Sequence, residues 1–299
     1  MVIDNKIRDN DRYIIFESTG GNGKQIQATA VIRAIKKAYP DRKIIWRCSW
    51  DSAAFNNPNV FRFFLHGQTQ YFRDYLKDDT IIMKHDPYNE TNHILRKEHL
   101  TETWCKLCGV PHDGNTGELF LNPRELEIAR DKIKPNGKPI MLLQTHGGGA
   151  GYSKKSWYRD MPVETAEKLV NYYSKSYRIL HIRNPDQPAL QGVEVLNLPL
   201  RELYGVFPLS VKRLFVDSFA AHAAAALGLQ STVLWIGNSH RVFGYDEHIN
   251  LYPNANIINN LDKYSDLIED ISGFVNQFPY DTVNLFDINK IIEAVNKQK

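Results

Sequence analysis

Twice in this chain a short β-prone apolar run breaks into a cluster of glycines and then into residues with helical spacing, and this order of signals restricts the fold more than any other feature. The first instance is Tyr13-Ile14-Ile15-Phe16, followed by Ser18-Thr19-Gly20-Gly21-Asn22-Gly23 and a helix predicted over 25–38. Ile26, Ala30, Ile32 and Ile35 fall on the apolar side of that helix, and Pro40 ends it. Ile44-Ile45-Trp46 is the next strand. Strand, helix and strand joined by short connections are the sequence form of a βαβ unit in a parallel sheet. The second instance begins at Ile140-Met141-Leu142-Leu143-Gln144, passes through Gly147-Gly148-Gly149-Ala150-Gly151 and reaches a helix after Met161-Pro162. Strands over 178–182, 193–196, 213–216 and 232–236 follow, with a helix over 220–227 between the last two.

Two such openings predict an α/β protein of two Rossmann-like domains facing each other across a cleft, where open parallel sheets place their ligands. A chain of 299 residues exceeds the length at which a single core stops growing, which agrees with two domains. Lys134-Pro135-Asn136-Gly137-Lys138-Pro139 has the composition of a linker, so the boundary is placed between residues 1–136 and 137–299. Asn122-Pro123 opens a charged helix through Lys132. The segment 51–121 has no clean period; helices and one or two strands, including 80–83, are expected there. The amphipathic last helix, 287–297, suits either domain, including a return onto the first.

Composition removes several classes. No apolar run approaches the ~20 residues that cross a bilayer, and Met1-Val2-Ile3-Asp4-Asn5-Lys6 lacks the apolar core of a signal peptide, so a cytoplasmic protein is expected. A net charge of +3 is too dilute for a dedicated nucleic-acid binder, yet compatible with phosphate-bearing ligands. The three cysteines form no disulfide framework, and Cys105-Lys106-Leu107-Cys108 has metal-knuckle spacing without a second pair, so no metal site is assigned. Gly20-Gly21-Asn22-Gly23-Lys24 misses the spacing of a phosphate-binding P-loop, and Gln25 offers no hydroxyl for magnesium.

Asp217-Ser218 open a predicted helix with His222 in its first turn. Asp and Ser are preferred helix caps, and a helix amino terminus is also an anion site, so capping and ligand binding are both open at this point. The segment reads D-S-F-A-A-H-A-A-A-A-L-G from Asp217 to Gly228 and resembles the D-S/T-G-x-x-H-L-A-A-A-L-G signature of the heptosyltransferases, glycosyltransferase family 9. The resemblance continues elsewhere. Ser153-Lys154-Lys155-Ser156-Trp157 looks like the family's K-x-W-P element, His181-Ile182-Arg183-Asn184-Pro185 stands where the family has a loop beside the nucleotide, and Gly237-Asn238-Ser239-His240-Arg241 matches a loop near the diphosphate. It implies the GT-B arrangement and an inverting, metal-independent transfer from a nucleotide-diphosphate sugar to a hydroxyl, on a bacterial surface glycan such as a lipopolysaccharide core, with no cofactor. On this reading Lys155, Arg183, Asp217, Ser218, Phe219, His222, His240 and Arg241 hold the donor, and Asp217 also belongs to the catalytic set. Phe219 replaces the family's glycine, which bears on how closely a donor can approach the backbone.

In the first half, Gly23-Lys24-Gln25-Ile26-Gln27-Ala28-Thr29-Ala30 resembles the family's G-D-x-x-x-A-T-P loop, and Gly21, Gly23 and Lys24 become acceptor-binding residues. The family's aspartate is Lys24 here. A lysine cannot take the acceptor proton as a carboxylate does unless its pKa falls far. Glu17, Asp51 and His85 are therefore the candidate proton acceptors. Two further readings follow from Lys24: transfer to hydroxymethylated bases in DNA, and a catalytically inactive nucleotide-sugar binder.

Overall fold

The computed structural model describes residues 11–68, 73–134, 137–147, 159–257, 278 and 280–299. The strands form two all-parallel sheets. The first is built from β1 (Tyr13–Ser18), β2 (Lys43–Cys48), β3 (Arg62–Leu65) and β4 (Ile81–Lys84), in the order β3-β2-β1-β4. The second contains β5 (Ile140–Gln144), β6 (Arg178–Ile182), β7 (Glu194–Leu196), β8 (Ser210–Val216), β9 (Thr232–Leu234) and β10 (Ile249–Leu251), in the order β10-β9-β8-β5-β6-β7. Every residue of β1 and β5 is buried, as expected of central parallel strands covered on both faces.

Both sheets reverse direction beside their first strand. The chain lays β2 and β3 on one side of β1 and returns to put β4 on the other; it lays β6 and β7 on one side of β5 and returns with β8, β9 and β10. At such a reversal the loops leaving the two adjacent strands diverge and open a crevice beyond their carboxyl ends. The first crevice lies between the ends of β1 and β4, the second between the ends of β5 and β8.

The described helices are α1 (Asn22–Ala38), α2 (Thr91–Ile94), α3 (Leu100–Leu107), α4 (Pro123–Ile133), α5 (Val163–Tyr173), α6 (Leu200–Val206), α7 (Phe219–Ala226), α8 (His240–Phe243) and α9 (Ile288–Asn296). In α7 the run Ala220, Ala221, Ala223 and Ala224 is buried on all sides, and these methyl groups share one core with Ile26, Val31 and Ile32 of α1 and with Leu142 and Phe215 of the second sheet. Small side chains let α7 sit between the sheet and α1, so the two halves pack directly on one another. A second bridge is ionic: the Arg201 guanidinium of α6 donates through Nε and Nη2 to the two oxygens of Glu125 on α4, at 2.7 Å each, and reaches the carbonyls of Ser52 and Phe120. On the outer face of the second sheet, Ile291 and Val295 of α9 join Leu169 and Tyr173 of α5, so the last helix packs there and not on the first sheet. No described helix is long and apolar enough to cross a membrane.

Candidate functional site

The second crevice is assembled by residues one to three places beyond the ends of β5 and β8. Gly147 follows β5 and Asp217 follows β8; a Cβ at Gly147 would stand 2.4 Å from the Asp217 carbonyl oxygen and 2.6 Å from Arg159 Cβ, so only glycine fits. The Asp217 carboxylate, 4% exposed, accepts a 2.7 Å hydrogen bond from Asn238 Nδ2 and lies 3.6 Å from Arg159 Nε. It therefore ties the end of β8 to the loop after β9 and to the segment entering α5. Ser218 is the cap residue of α7 in position and backbone angles, but its side chain makes no cap hydrogen bond, and its buried hydroxyl has no partner among the described residues. A buried hydroxyl without a partner costs roughly 1–3 kcal/mol, and beside it the N–H groups of Phe219 and Ala220 at the start of α7 have no partner among the described residues. Phe219 packs its ring on the shared core, while its Cα faces Gly23 across the junction of the halves.

That junction contains His222. Gly23, in the first turn of α1, abuts the imidazole so closely that a Cβ there would be 2.7 Å from His222 Cδ2 and 3.3 Å from Nε2. His222 Nδ1 is 2.9 Å from the Tyr245 hydroxyl. Burial, with His248 and then Arg159 adding to it, pushes His222 down to about 3, so the ring is neutral at ordinary pH. Burial also raises Tyr245, and a hydrogen bond from Gln27 opposes that rise. With Gln27 donating to the phenol oxygen, the phenol hydrogen is left to point at His222 Nδ1. The second imidazole hydrogen position is then Nε2, directed at Gly23 and the meeting point of the two crevices. Gln27 also donates to the Phe243 carbonyl at 3.1 Å, Arg96 to that of Gly237 at 2.9 Å, and His99 Nε2 lies 3.0 Å from that of Gly244. The wall of the first crevice and the loop after β9 are thus joined by several contacts.

In the first crevice Gly20 adopts φ 101°, a conformation that favours glycine, and Gly21 precedes α1 with no side chain to cap it. Lys24 is 5% exposed, with Nζ 2.8 Å from Asp86 Oδ1, 4.3 Å from the Tyr88 ring centroid and 5.4 Å from that of Trp104. Burial lowers its pKa and Asp86 opposes the change. The cation is engaged by its neighbours and does not project into the crevice. Glu17 alternates with the α1-facing residues of β1 and so faces the opposite side of the sheet, where Arg47 lies 2.6 Å and Lys84 3.2 Å from its oxygens. Asp51 is half-buried in the loop after β2, one strand away from the reversal, and His85 is exposed.

The other expected donor residues divide. Arg183 spends its guanidinium on the carbonyls of its own loop, Asn184, Pro185 and Gln187. His240 is bonded to Tyr252 and lies 3.4 Å from Asp246. Arg241 is exposed, with no side-chain partner among the described residues. Lys155 falls in 148–158, outside the described residues. Cys105 and Cys108 are buried, with burial raising both thiols to about 12, and Cys105 packs in the shared core. The sequence reading did not single out Asp86, Arg159, Asn238 or Tyr245. For Asp86 and Asn238 a signal was present, since each lies just beyond a predicted strand end; Arg159 and Tyr245 are placed by tertiary packing alone.

No family model matches the sequence, and no curated protein does. Solved structures do match in fold. A glycosyl transferase family 9 protein from Veillonella parvula is similar over 97% of this chain and 98% of its own, at TM-score 0.70 and 14% identity. The E. coli ADP-heptose LPS heptosyltransferase II matches over 95% of this chain and 97% of its own, at TM-score 0.66 and 9% identity. The iron-containing dodecameric glycosyltransferase TibC of enterotoxigenic E. coli matches over 96% of this chain and 76% of its own, at TM-score 0.69 and 15% identity. The fold is accordingly the two-sheet GT-B arrangement, with the element order that the resemblance at 217–228 implied.

Proposed function

We propose that this protein is a glycosyltransferase that moves a sugar from a nucleoside-diphosphate sugar to a hydroxyl group of a glycan, with inversion at the anomeric carbon and charge compensation by protein groups in place of a metal ion. Residues 137–299 form the donor half and residues 1–136 the acceptor half, and the setting is the cytoplasm, where nucleotide sugars are made. One observation carries the reading: the crevices of the two sheets meet at Gly23 and His222, and beside that meeting point Ser218 keeps a buried, unpartnered hydroxyl next to the open N–H groups of α7. Such a site matches a diphosphate or sugar hydroxyl, which supplies acceptors to the N–H groups and a partner to the serine. The fold-level neighbours include the E. coli heptosyltransferase WaaC with ADP.

In the transfer, an acceptor oxygen attacks the anomeric carbon as the bond from that carbon to the diphosphate oxygen breaks, the electron pair leaving with the nucleoside diphosphate. Negative charge grows on the departing oxygen. The neutral Nε2–H of His222, the amino terminus of α7 and the exposed Arg241 are the groups placed to meet it, with Lys155 added by the resemblance. Asp217 acts through the loops it ties together and keeps the crevice in shape.

Calorimetry with ADP, UDP, GDP and CDP, followed by nucleoside-diphosphate release from the corresponding activated sugars, tests the reading. One nucleotide should bind, and Ser218→Ala should weaken it about tenfold. Binding of none of the four would overturn the donor assignment, whereas tight binding without any turnover would leave an inactive nucleotide-sugar binder.

A further inference from the structure

The proposed transfer leaves one role unfilled: the group that receives the acceptor's proton. The inference that follows rests on that reading of the site. In the first sheet the chain reverses between β1 and β4, and two side chains meet at the floor of the resulting crevice, Lys24 from the start of α1 and Asp86 two residues past the end of β4. Asp86 Oδ1 is held from both sides, 2.8 Å from Lys24 Nζ and 3.1 Å from the backbone N–H of Tyr88. Its other oxygen, Oδ2, has no partner among the described residues, and the Asp86 side chain is 39% exposed where that of Lys24 is 3% exposed. The pair therefore presents one fixed carboxylate oxygen to the crevice and keeps the cation beneath it. Lys24, packed against the rings of Tyr88 and Trp104, has no route to a phosphate on an acceptor.

The other carboxylates offer less. Both oxygens of Glu17 are taken up by Arg47 and Lys84 on the far face of the sheet. Asp51 stands beyond β2, and its carboxylate has no partner among the described residues to orient it. We propose that Asp86 is the catalytic residue that takes the proton of the acceptor hydroxyl, and that Lys24 is the positioning residue that aims its free oxygen. Lysine at the place where the resembling family has aspartate is then no loss of function, because the carboxylate arrives from the neighbouring strand. As the acceptor oxygen bonds to the anomeric carbon, its proton passes to Asp86 Oδ2 and the carbon–oxygen bond to the diphosphate breaks with its electron pair. Asp86 becomes a neutral acid and returns the proton to solvent after product release.

Release of nucleoside diphosphate from the activated sugars of whichever of ADP, UDP, GDP and CDP binds, with water as the acceptor, tests this without knowledge of the natural glycan. Asp86→Asn should lower kcat at least about 100-fold and leave the Kd for that nucleoside diphosphate within about twofold, since proton transfer to a placed base contributes ~10²–10⁴ in rate. Asp86→Ser, at the same half-exposed site, should give the same split if the Asn variant does not fold. Lys24→Met should lower kcat about tenfold with Kd unchanged; a purely structural Lys24 would instead weaken nucleotide binding and the melting temperature together, and that result would overturn its role. Turnover of Asp86→Asn within about threefold of the unaltered protein would overturn the assignment of Asp86 while leaving the donor reading intact. An unaltered protein that binds none of ADP, UDP, GDP and CDP would overturn both.

Discussion

The two crevices are built to the same plan and held by opposite means. In the second, a buried carboxylate, Asp217, is pinned by Asn238 and by Arg159, and the group left without a partner is the neutral hydroxyl of Ser218. In the first, a buried cation, Lys24, is pinned by Asp86 and by two aromatic rings, and the group left over is a carboxylate oxygen. On the proposed reading, the pinned charge in each case is structural and the chemistry falls to its unpinned neighbour. A residue is thus a poor guide to function when it carries a charge already answered, and a good one when it is buried or fixed with an atom unanswered.

The sharpest way to break the comparison is acid, because both crevices depend on buried neutral imidazoles. His93 and His181 are pushed down to about 4, and His99 and His222 to about 3, each mainly by burial. His93 packs against the rings of Tyr88 and Phe243 beside the first crevice, and His181 bonds Thr145 beside the second. All four have folded values below the unfolded one near 6.5, so the unfolded chain binds more protons once pH falls below about 6.5. Stability is full above that value and is lost through the window from 6.5 toward 3, at about 1.4 kcal/mol per pH unit for each histidine. Because the halves share one core, thermal melting at pH 7.5 and at pH 5 should show a single transition whose midpoint drops by 10 °C or more. Two separated transitions would mean that the crevices are independently stable, and an unmoved midpoint would mean that the imidazoles are not buried as neutral groups.

The next largest effects come from the glycines at the crevices. Gly147→Ala forces a methyl group onto the Asp217 carbonyl and Arg159, neither of which can swing away, and should cost about 3 kcal/mol in chemical denaturation. Gly23→Ala meets an imidazole ring instead, and a ring can tilt. Its cost should be nearer 1 kcal/mol, with a larger loss in kcat than in nucleotide affinity because His222 is displaced from the meeting point. Equal stability losses for the two would show that the junction at His222 is as rigid as the strand end at Gly147.

How much of this was written in the sequence depends on the distance over which each feature is decided. The two strand, glycine-loop and helix openings were legible because burial of β1 and β5 on both faces makes continuous apolar runs, and because glycine is demanded locally at positions such as Gly20 with its positive φ. The alanine-rich helix α7 was legible for the same reason. The edge strands β3 and β10 were not, since Arg62–Leu65 and Ile249–Leu251 are short, half-buried and without alternation. Ser218 had the identity and place of a cap but not the bond of one, because only the packing of α7 decides where its hydroxyl points. Lys24 and Asp86 are 62 residues apart, and Asn22 and Tyr204 are 182 apart. Pairings of that kind are fixed when the two sheets assemble and leave no trace in local spacing. Expectations for Lys24 as an acceptor contact and Arg183 as a nucleotide contact came from the resemblance, which matches positions in the chain and not the side chains around them, and each has neighbours that occupy it.

The smallest expected effect isolates the neutral imidazole that joins the crevices. Tyr245→Phe keeps the buried ring and deletes only the hydroxyl that faces His222 Nδ1 and accepts from Gln27; Gln27 keeps its bond to the Phe243 carbonyl, so folding should lose about 1 kcal/mol. With that donor gone, the hydrogen on His222 is free to move from Nε2 to Nδ1, and the bond to the leaving diphosphate should be made in only part of the population. Nitrogen-15 spectra of the unliganded protein should show a single Nε2–H form for His222 in the unaltered chain and a mixture in the variant. The corresponding kinetic signature is a fall in kcat of about fivefold to tenfold with an unchanged pH profile near neutrality, because burial keeps the ring uncharged in either tautomer. An Nδ1–H form in the unaltered protein would reverse the direction of the Tyr245 hydrogen bond. His222 would then offer a lone pair to the crevice, and the group meeting the diphosphate would have to be Ser218 and the amino terminus of α7 without it.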